Sequence, residues 1–360
     1  MAAPITVRMP RIIAIIGTVL SLVVVGALDA STAVAKSASR CHATARHHHR
    51  RHNASCHRSR PGVRAATANK RGGNGGGSGG GTTSGGTTTG CGGESLLAKP
   101  GGGTWTCSFD DEFDATTGDP SSLNTANWTP QVTATSGYTT GWPYIACYVN
   151  SPNNISVSGG ALHLTVRKEP APFSCGGVTT QYTSGMVSGI YGFNQTYGRF
   201  EVRAQLPPVT VAGLQETLWL WPVNSKLYGS SPASGEIDFS EFYSEYSTLD
   251  IPVIHYNYDK TTTDKTTGTN VVTNYCQINP SQYNDYAVVW QPGSFTITIN
   301  GTTCLTDNYI PDNGLVSPQP FDQPFFISLT QALGVGTNAF NPSTTPLPAT
   351  TSIDYVRVWK

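Results

Sequence analysis

Charge is scarce in this chain: Asp, Glu, Lys and Arg make up 12% of its 360 residues. It is also badly mixed. No acid lies between Lys36 and Gly93, where there are ten Lys or Arg, whereas Glu94 to Lys360 carries ten basic residues and 21 acids, a net of −11. The formal net charge of zero therefore describes neither part. An acidic body with few clustered cations argues against nucleic acid as a partner. None of the eight cysteines forms a C-x-x-C pair, which argues against zinc. No apolar run beyond Leu28 is long enough to cross a bilayer. No long helical stripe runs through the body, so bundles and strand–helix repeats are excluded.

The first 93 residues read as three segments. Met1 to Ala35 has the form of a secretory signal: Arg8 and Arg11, an apolar run from Ile12 to Leu28, and a small-x-small site at Ala33-Val34-Ala35. An uncleaved anchor is the other reading of that run. Residues 36–71 form an Arg/His-rich head, read as a disordered polycationic tail suited to an anionic cell-wall or membrane surface. A His-rich tract of this kind is also a metal-binding composition. Residues 72–93 are almost all Gly, Ser and Thr, a flexible linker. In an exported chain the cysteines imply disulfides, and pairing of neighbours such as Cys276 with Cys304 is one of the 105 connectivities eight cysteines allow.

From Glu94 onward the texture is aromatic and β-branched, in short runs of period two. Ala161 to Val166, Gly198 to Arg203, Ser294 to Ile299 and Ile353 to Val358 are examples. Asn300-Gly301 after one of them signals a hairpin. Many strands without helical crossovers predict an all-β, sheet-on-sheet fold, a sandwich or jelly roll, in one domain over 94–360.

Within that body, Glu236-Ile237-Asp238-Phe239-Ser240-Glu241 concentrates three carboxylates. On a regular strand Glu236 and Asp238 share one face and Glu241 falls on the other. One extra residue restores the parity: with a β-bulge at Phe239-Ser240, all three acids face one way, and Ile237 and Phe239 face a core. Crowded carboxylates raise one another's pKa and titrate together, so one acid protonated beside one ionised becomes accessible. Retaining glycosidases work in that state, with carboxyl groups roughly 5–5.5 Å apart. A solvated acidic face or a calcium-binding edge is the plainer reading of the same six residues.

Five ordered motifs carry a resemblance. They are Phe109-Asp110-Asp111-Glu112-Phe113-Asp114, Asn154 to Leu162, Tyr197 to Arg203, Glu236 to Glu241 and Ile353 to Trp359. Together they resemble glycoside hydrolase family 16, in its laminarinase-like, bulged Glu-x-Asp-x-x-Glu form. The resemblance implies a β-jelly-roll sandwich of two antiparallel sheets with a concave substrate cleft. It implies Glu236 as nucleophile, Glu241 as acid/base and Asp238 as the residue orienting the nucleophile. It further implies Trp219 as a sugar platform, with Asn154, Arg199 and His255 as substrate-binding residues. A structural calcium would be held by Glu112, Gly160 and Asp354, with no cofactor needed for catalysis. The implied protein is a secreted, monomeric endo-β-1,3-glucanase acting on laminarin-like β-glucan. Mixed-linkage glucan or β-galactan hydrolysis, transglycosylation and non-catalytic glucan binding are the alternatives. One departure bears on substrate: Gln215 stands where many laminarinase-like members have a second Trp.

Overall fold

A computed structural model describes residues 90–114, 123–136, 138, 146–256, 271–311 and 314–360. The expected signal and head, with Cys41 and Cys56, and the linker up to residue 89 lie outside the described residues. Cys91, at the end of the expected linker, is buried and disulfide-bonded to Cys107. The other described bridges join Cys147 to Cys175 and Cys276 to Cys304, each a pair of sequence neighbours.

The expected all-β sandwich is what forms. Among the described residues the helical content is one four-residue α-turn and three 3-10 turns, and no helix is long and apolar enough to cross a membrane. The described strands make two ten-stranded sheets. The first runs, edge to edge, through Thr302–Asp307, Ser294–Ile299, Asn284–Gln291, Gly198–Gln205, Ala349–Trp359, Ala161–Cys175, Val178–Ser184 and Ala146–Tyr148. The second runs through Val271–Thr273, Val253–His255, Glu236–Tyr243, Leu214–Pro222, Phe325–Leu333, Met186–Ser188 and Thr129–Pro130. Among the described strands, pairing is antiparallel except between Ala146–Tyr148 and Val178–Ser184.

All four period-two runs singled out in the sequence are strands, and the alternation says which face is which. Phe200, Val202 and Ala204 from the first sheet meet Leu218, Leu220, Ile237, Phe239 and Phe242 from the second in one core. Asn300 and Gly301 both take positive φ, 50° and 74°, the left-handed pair that a tight two-residue hairpin turn requires.

The strand Glu236–Tyr243 lies between Leu214–Pro222 and Val253–His255. Opposite it, Leu218 pairs with Ser240 and Trp219 with Asp238, so Phe239 has no counterpart in the ladder. This is the bulge the carboxylate parity calls for. Ile237, Phe239 and Phe242 are all fully buried in the core. A one-residue slip would turn such side chains to water at about 1.5–3 kcal/mol each, so the register is fixed by packing. The bulge is also tied from behind. Ser240 Oγ donates to Asp250 Oδ1 at 2.6 Å, and the Ile251 amide donates to the Glu241 carbonyl at 2.8 Å. Asp250 is fully buried, and burial first, then Glu241, push its carboxyl well above the usual range. Removing the hydroxyl with Ser240→Ala should cost about 1–3 kcal/mol. Asp250→Asn, which imitates the neutral acid, should cost less. Denaturant midpoints at unchanged slope measure both.

Candidate active site

The face of Glu236–Tyr243 turned away from the core carries Glu236, Asp238 and Glu241, as the bulge dictates. Asp238 and Glu241 are buried, and Glu236 is half-buried. His255 pairs with Glu236 across the neighbouring strand, and its Nε2 lies 3.1 Å from Asp238 Oδ2. One side-chain oxygen each of Glu236 and Asp238 and one ring nitrogen of His255 lie within 4.8 Å of one another. The structure thus brings together four of the residues expected at the site.

The two glutamates are supported differently. Glu241 accepts from Gln215 Nε2 at 3.2 Å and from the Tyr243 hydroxyl at 2.7 Å, one donor for each oxygen. Asp238 faces His255 at the distance given above. Burial raises Glu236 well above the ordinary carboxylate range, and Asp238 and Glu241 add to it against His255. Burial likewise raises Asp238, with Glu241 adding to it. Glu241 is also raised by burial, but His255, Tyr243 and Gln215 pull it back. A protonated acid beside an ionised one is the stable arrangement of such a face.

Trp219 is on this face too, cross-strand from Asp238. It is only 4% exposed. Its Nε1 donates to Thr330 Oγ1 at 3.0 Å, and its ring meets Trp221 and Tyr138 edge-on at centroid distances of 5.6 and 6.4 Å. Tyr148, Met186 and Phe326 complete the cluster. Trp219 therefore builds the floor beside the carboxylates instead of offering an open ring. The Tyr138 hydroxyl is pushed up to about 12 by burial and by Glu236.

Two expected sugar contacts fall elsewhere. Asn154 is buried, and its Nδ2 donates to the Thr165 carbonyl at 2.9 Å and to Thr183 Oγ1 at 3.0 Å, a tie within the first sheet. Arg199 sits on the strand Gly198–Gln205, whose alternate residues Phe200 and Val202 fill the core. Its side chain therefore lies on the outer face of the first sheet, paired with Glu201 and 5.8 Å from the Trp359 ring, with the core between it and the carboxylates.

The calcium set does not fit either. Arg357 holds both oxygens of Glu112, at 2.7 and 2.9 Å, and reaches Glu94 at 2.8 Å. Asp354 is ion-paired with Arg203 at 3.1 Å. Gly160, at φ 76°, is half of a tight Gly159-Gly160 turn. A guanidinium supplies the positive charge that Glu112 would otherwise seek from a metal. Residues that sequence reasoning did not assign to the site are Gln215, Tyr243, Trp221 and Tyr138. Parity offered a signal for the first three, since Gln215 and Trp221 alternate with Trp219 and Tyr243 follows Glu241 by two.

A sandwich with a carboxylate triad on the face of one sheet turned away from the core, flanked by aromatic side chains, is a glycosidase arrangement. The sequence profile described as Glycosyl hydrolases family 16 matches residues 145–344, more than half of the chain, and the protein belongs to that family. Among its relatives are a keratan-sulfate endo-1,4-beta-galactosidase from Sphingobacterium multivorum, 30% identical over 50% of this chain and 40% of that protein, and glucan endo-1,3-beta-glucosidase A1 from Niallia circulans, 29% identical over 70% and 37%. The chain thus spans about two fifths of the length of these two relatives. The solved laminarinase from Rhodothermus marinus matches at 26% identity with a TM-score of 0.56, over 71% of this chain and 97% of that one.

Raised carboxyls have a consequence for stability. A group whose folded pKa lies above its unfolded value stabilises fully below the unfolded value and loses that contribution as pH rises through the folded one. Glu236, Asp238 and Glu241 all have this sign. The melting temperature of the protein should fall as pH rises above about 4.5. Glu236→Gln should raise the melting temperature at pH 7–8 and flatten the slope; thermal melts across pH test both.

Proposed function

We propose that the protein is a secreted retaining endo-β-glycanase whose substrate is a β-1,3-glucan. The observation that carries this reading is the pair of glutamates brought to one face by the bulge, one held by two neutral donors and the other flanked by Asp238 and His255. In the proposed reaction, protonated Glu241 gives its proton to the glycosidic oxygen. Glu236, ionised because the neighbouring Asp238 holds the proton the two carboxyls share, attacks the anomeric carbon from the opposite side, the bond to the leaving sugar breaks, and a glycosyl-enzyme ester forms. Glu241, now a carboxylate, takes a proton from water, whose oxygen displaces Glu236 and releases the sugar. Asp238 orients the nucleophile and His255 holds Asp238. No metal takes part in these steps.

The name of the Niallia circulans glucan endo-1,3-beta-glucosidase supports the β-1,3-glucan assignment, and that of the Rhodothermus marinus laminarinase supports a laminarin-like substrate. A β-galactan is the second reading. It is favoured by the keratan-sulfate endo-1,4-beta-galactosidase at 30% identity and by Gln215, where a stacking Trp would suit a glucan. Three disulfides in the body support an oxidising compartment and hence secretion. The basic head would hold the secreted, monomeric protein at an anionic surface.

Reducing-end release from laminarin, mixed-linkage glucan, agarose, carrageenan and keratan sulfate, with products sized, tests the substrate. Short oligosaccharides from laminarin are expected. Release from a galactan alone would keep the carboxylates and overturn the substrate. Glu236→Gln should abolish turnover and leave polysaccharide binding largely intact. Turnover that survives in this variant would remove Glu236 from its role.

A further inference from the structure

Resting on the assignment of Glu241 as acid/base, we infer that Gln215 is a positioning residue that, with Tyr243, clamps the Glu241 carboxyl and eases the release of its proton to the leaving oxygen. The geometry follows from the register. Thr217 lies opposite Glu241 and Gln215 opposite Tyr243, so on the cleft face Gln215 is the diagonal neighbour of Glu241. Tyr243 is two residues beyond Glu241 on the same face. Each therefore reaches a different oxygen: Gln215 Nε2 lies 3.2 Å from Oε1, and the Tyr243 hydroxyl 2.7 Å from Oε2.

The chemistry of the two donors is unequal. An amide N–H donates and cannot accept, so the proton of neutral Glu241 cannot be spent on the Gln215 nitrogen. Both donors favour the ionised carboxylate, which eases proton release to the leaving group. They oppose burial, which favours the neutral acid. The charged and titratable groups around Glu241 are Glu236, Asp238 and Tyr243 on its own strand, His255 on the next, and Asp250 behind the bulge. Asp250 lies behind the strand, and Glu241 itself pushes Glu236, Asp238 and Asp250 towards the neutral acid. Gln215 and Tyr243 are the neutral donors that bear on its carboxyl directly.

Gln215 is half-buried, so Gln215→Met should fold, and Tyr243→Phe supplies an independent second variant. The direct readout is the Glu241 carboxyl titration, followed by carbon NMR on Glu-labelled protein. Losing one hydrogen bond to a charged group should raise the apparent pKa by about one pH unit in either variant. The basic limb of kcat/KM on the polysaccharide that the wild type cleaves should move up with it. kcat should fall more on that polysaccharide than on a 2,4-dinitrophenyl β-oligosaccharide, whose leaving group needs no proton. An unmoved Glu241 titration in both variants would overturn the clamp, as would equal losses on the two substrates. A raised titration in a protein that cleaves no polymer of the panel would uphold the clamp and overturn the function proposed above.

Discussion

One unpaired residue, Phe239, sets the chemistry of this protein. Without it Glu241 would point into the core and Ile237 or Phe242 would face water. With it, the apolar side chains of Glu236–Tyr243 all enter the sandwich and its acids all leave it. Packing therefore enforces a carboxylate arrangement that electrostatics alone would oppose. The Ser240–Asp250 hydrogen bond and the Ile251 amide brace the bulge where it departs from the ladder.

The cost of that arrangement is borne by the fold. Glu236, Asp238 and Glu241 are each held above their ordinary pKa, with burial as the leading cause. Behind them Glu216 and Asp250 are buried within the sandwich and raised for the same reason. A core of large aromatic and aliphatic side chains offsets these unfavourable burials, and His255, Gln215 and Tyr243 shape what remains into distinct environments for two chemically identical glutamates. Strain of this kind at a reacting site is the usual relation between activity and stability.

Features governed by local periodicity were legible in the sequence. Alternation located the strands, Asn300-Gly301 located a hairpin, and carboxylate parity located the bulge and named the outward-facing acids. What depended on contacts between distant segments was not. Arg199 was placed in the cleft by likeness of its motif. Its strand belongs to the other sheet, and strand parity cannot say which of a sheet's two faces meets the core. Asn154 is consumed by Thr165 and Thr183, and Trp219 is covered by a cluster drawn from several strands. Glu112 is claimed by Arg357, 245 residues away, which displaces the expected calcium role. Gln215 was visible only as a missing Trp; its bond to Glu241 depends on the register of two strands.

If Glu236 and Glu241 act on one bond from opposite sides through a covalent intermediate, the first product keeps the anomeric configuration of the substrate. The most direct measurement is the anomeric configuration of the first product, read by proton NMR within minutes of adding enzyme to its polysaccharide and before mutarotation. The β-anomer should accumulate first, with the α-anomer following by equilibration. Initial release of the α-anomer would mean single displacement by water and would contradict the role given to Glu236.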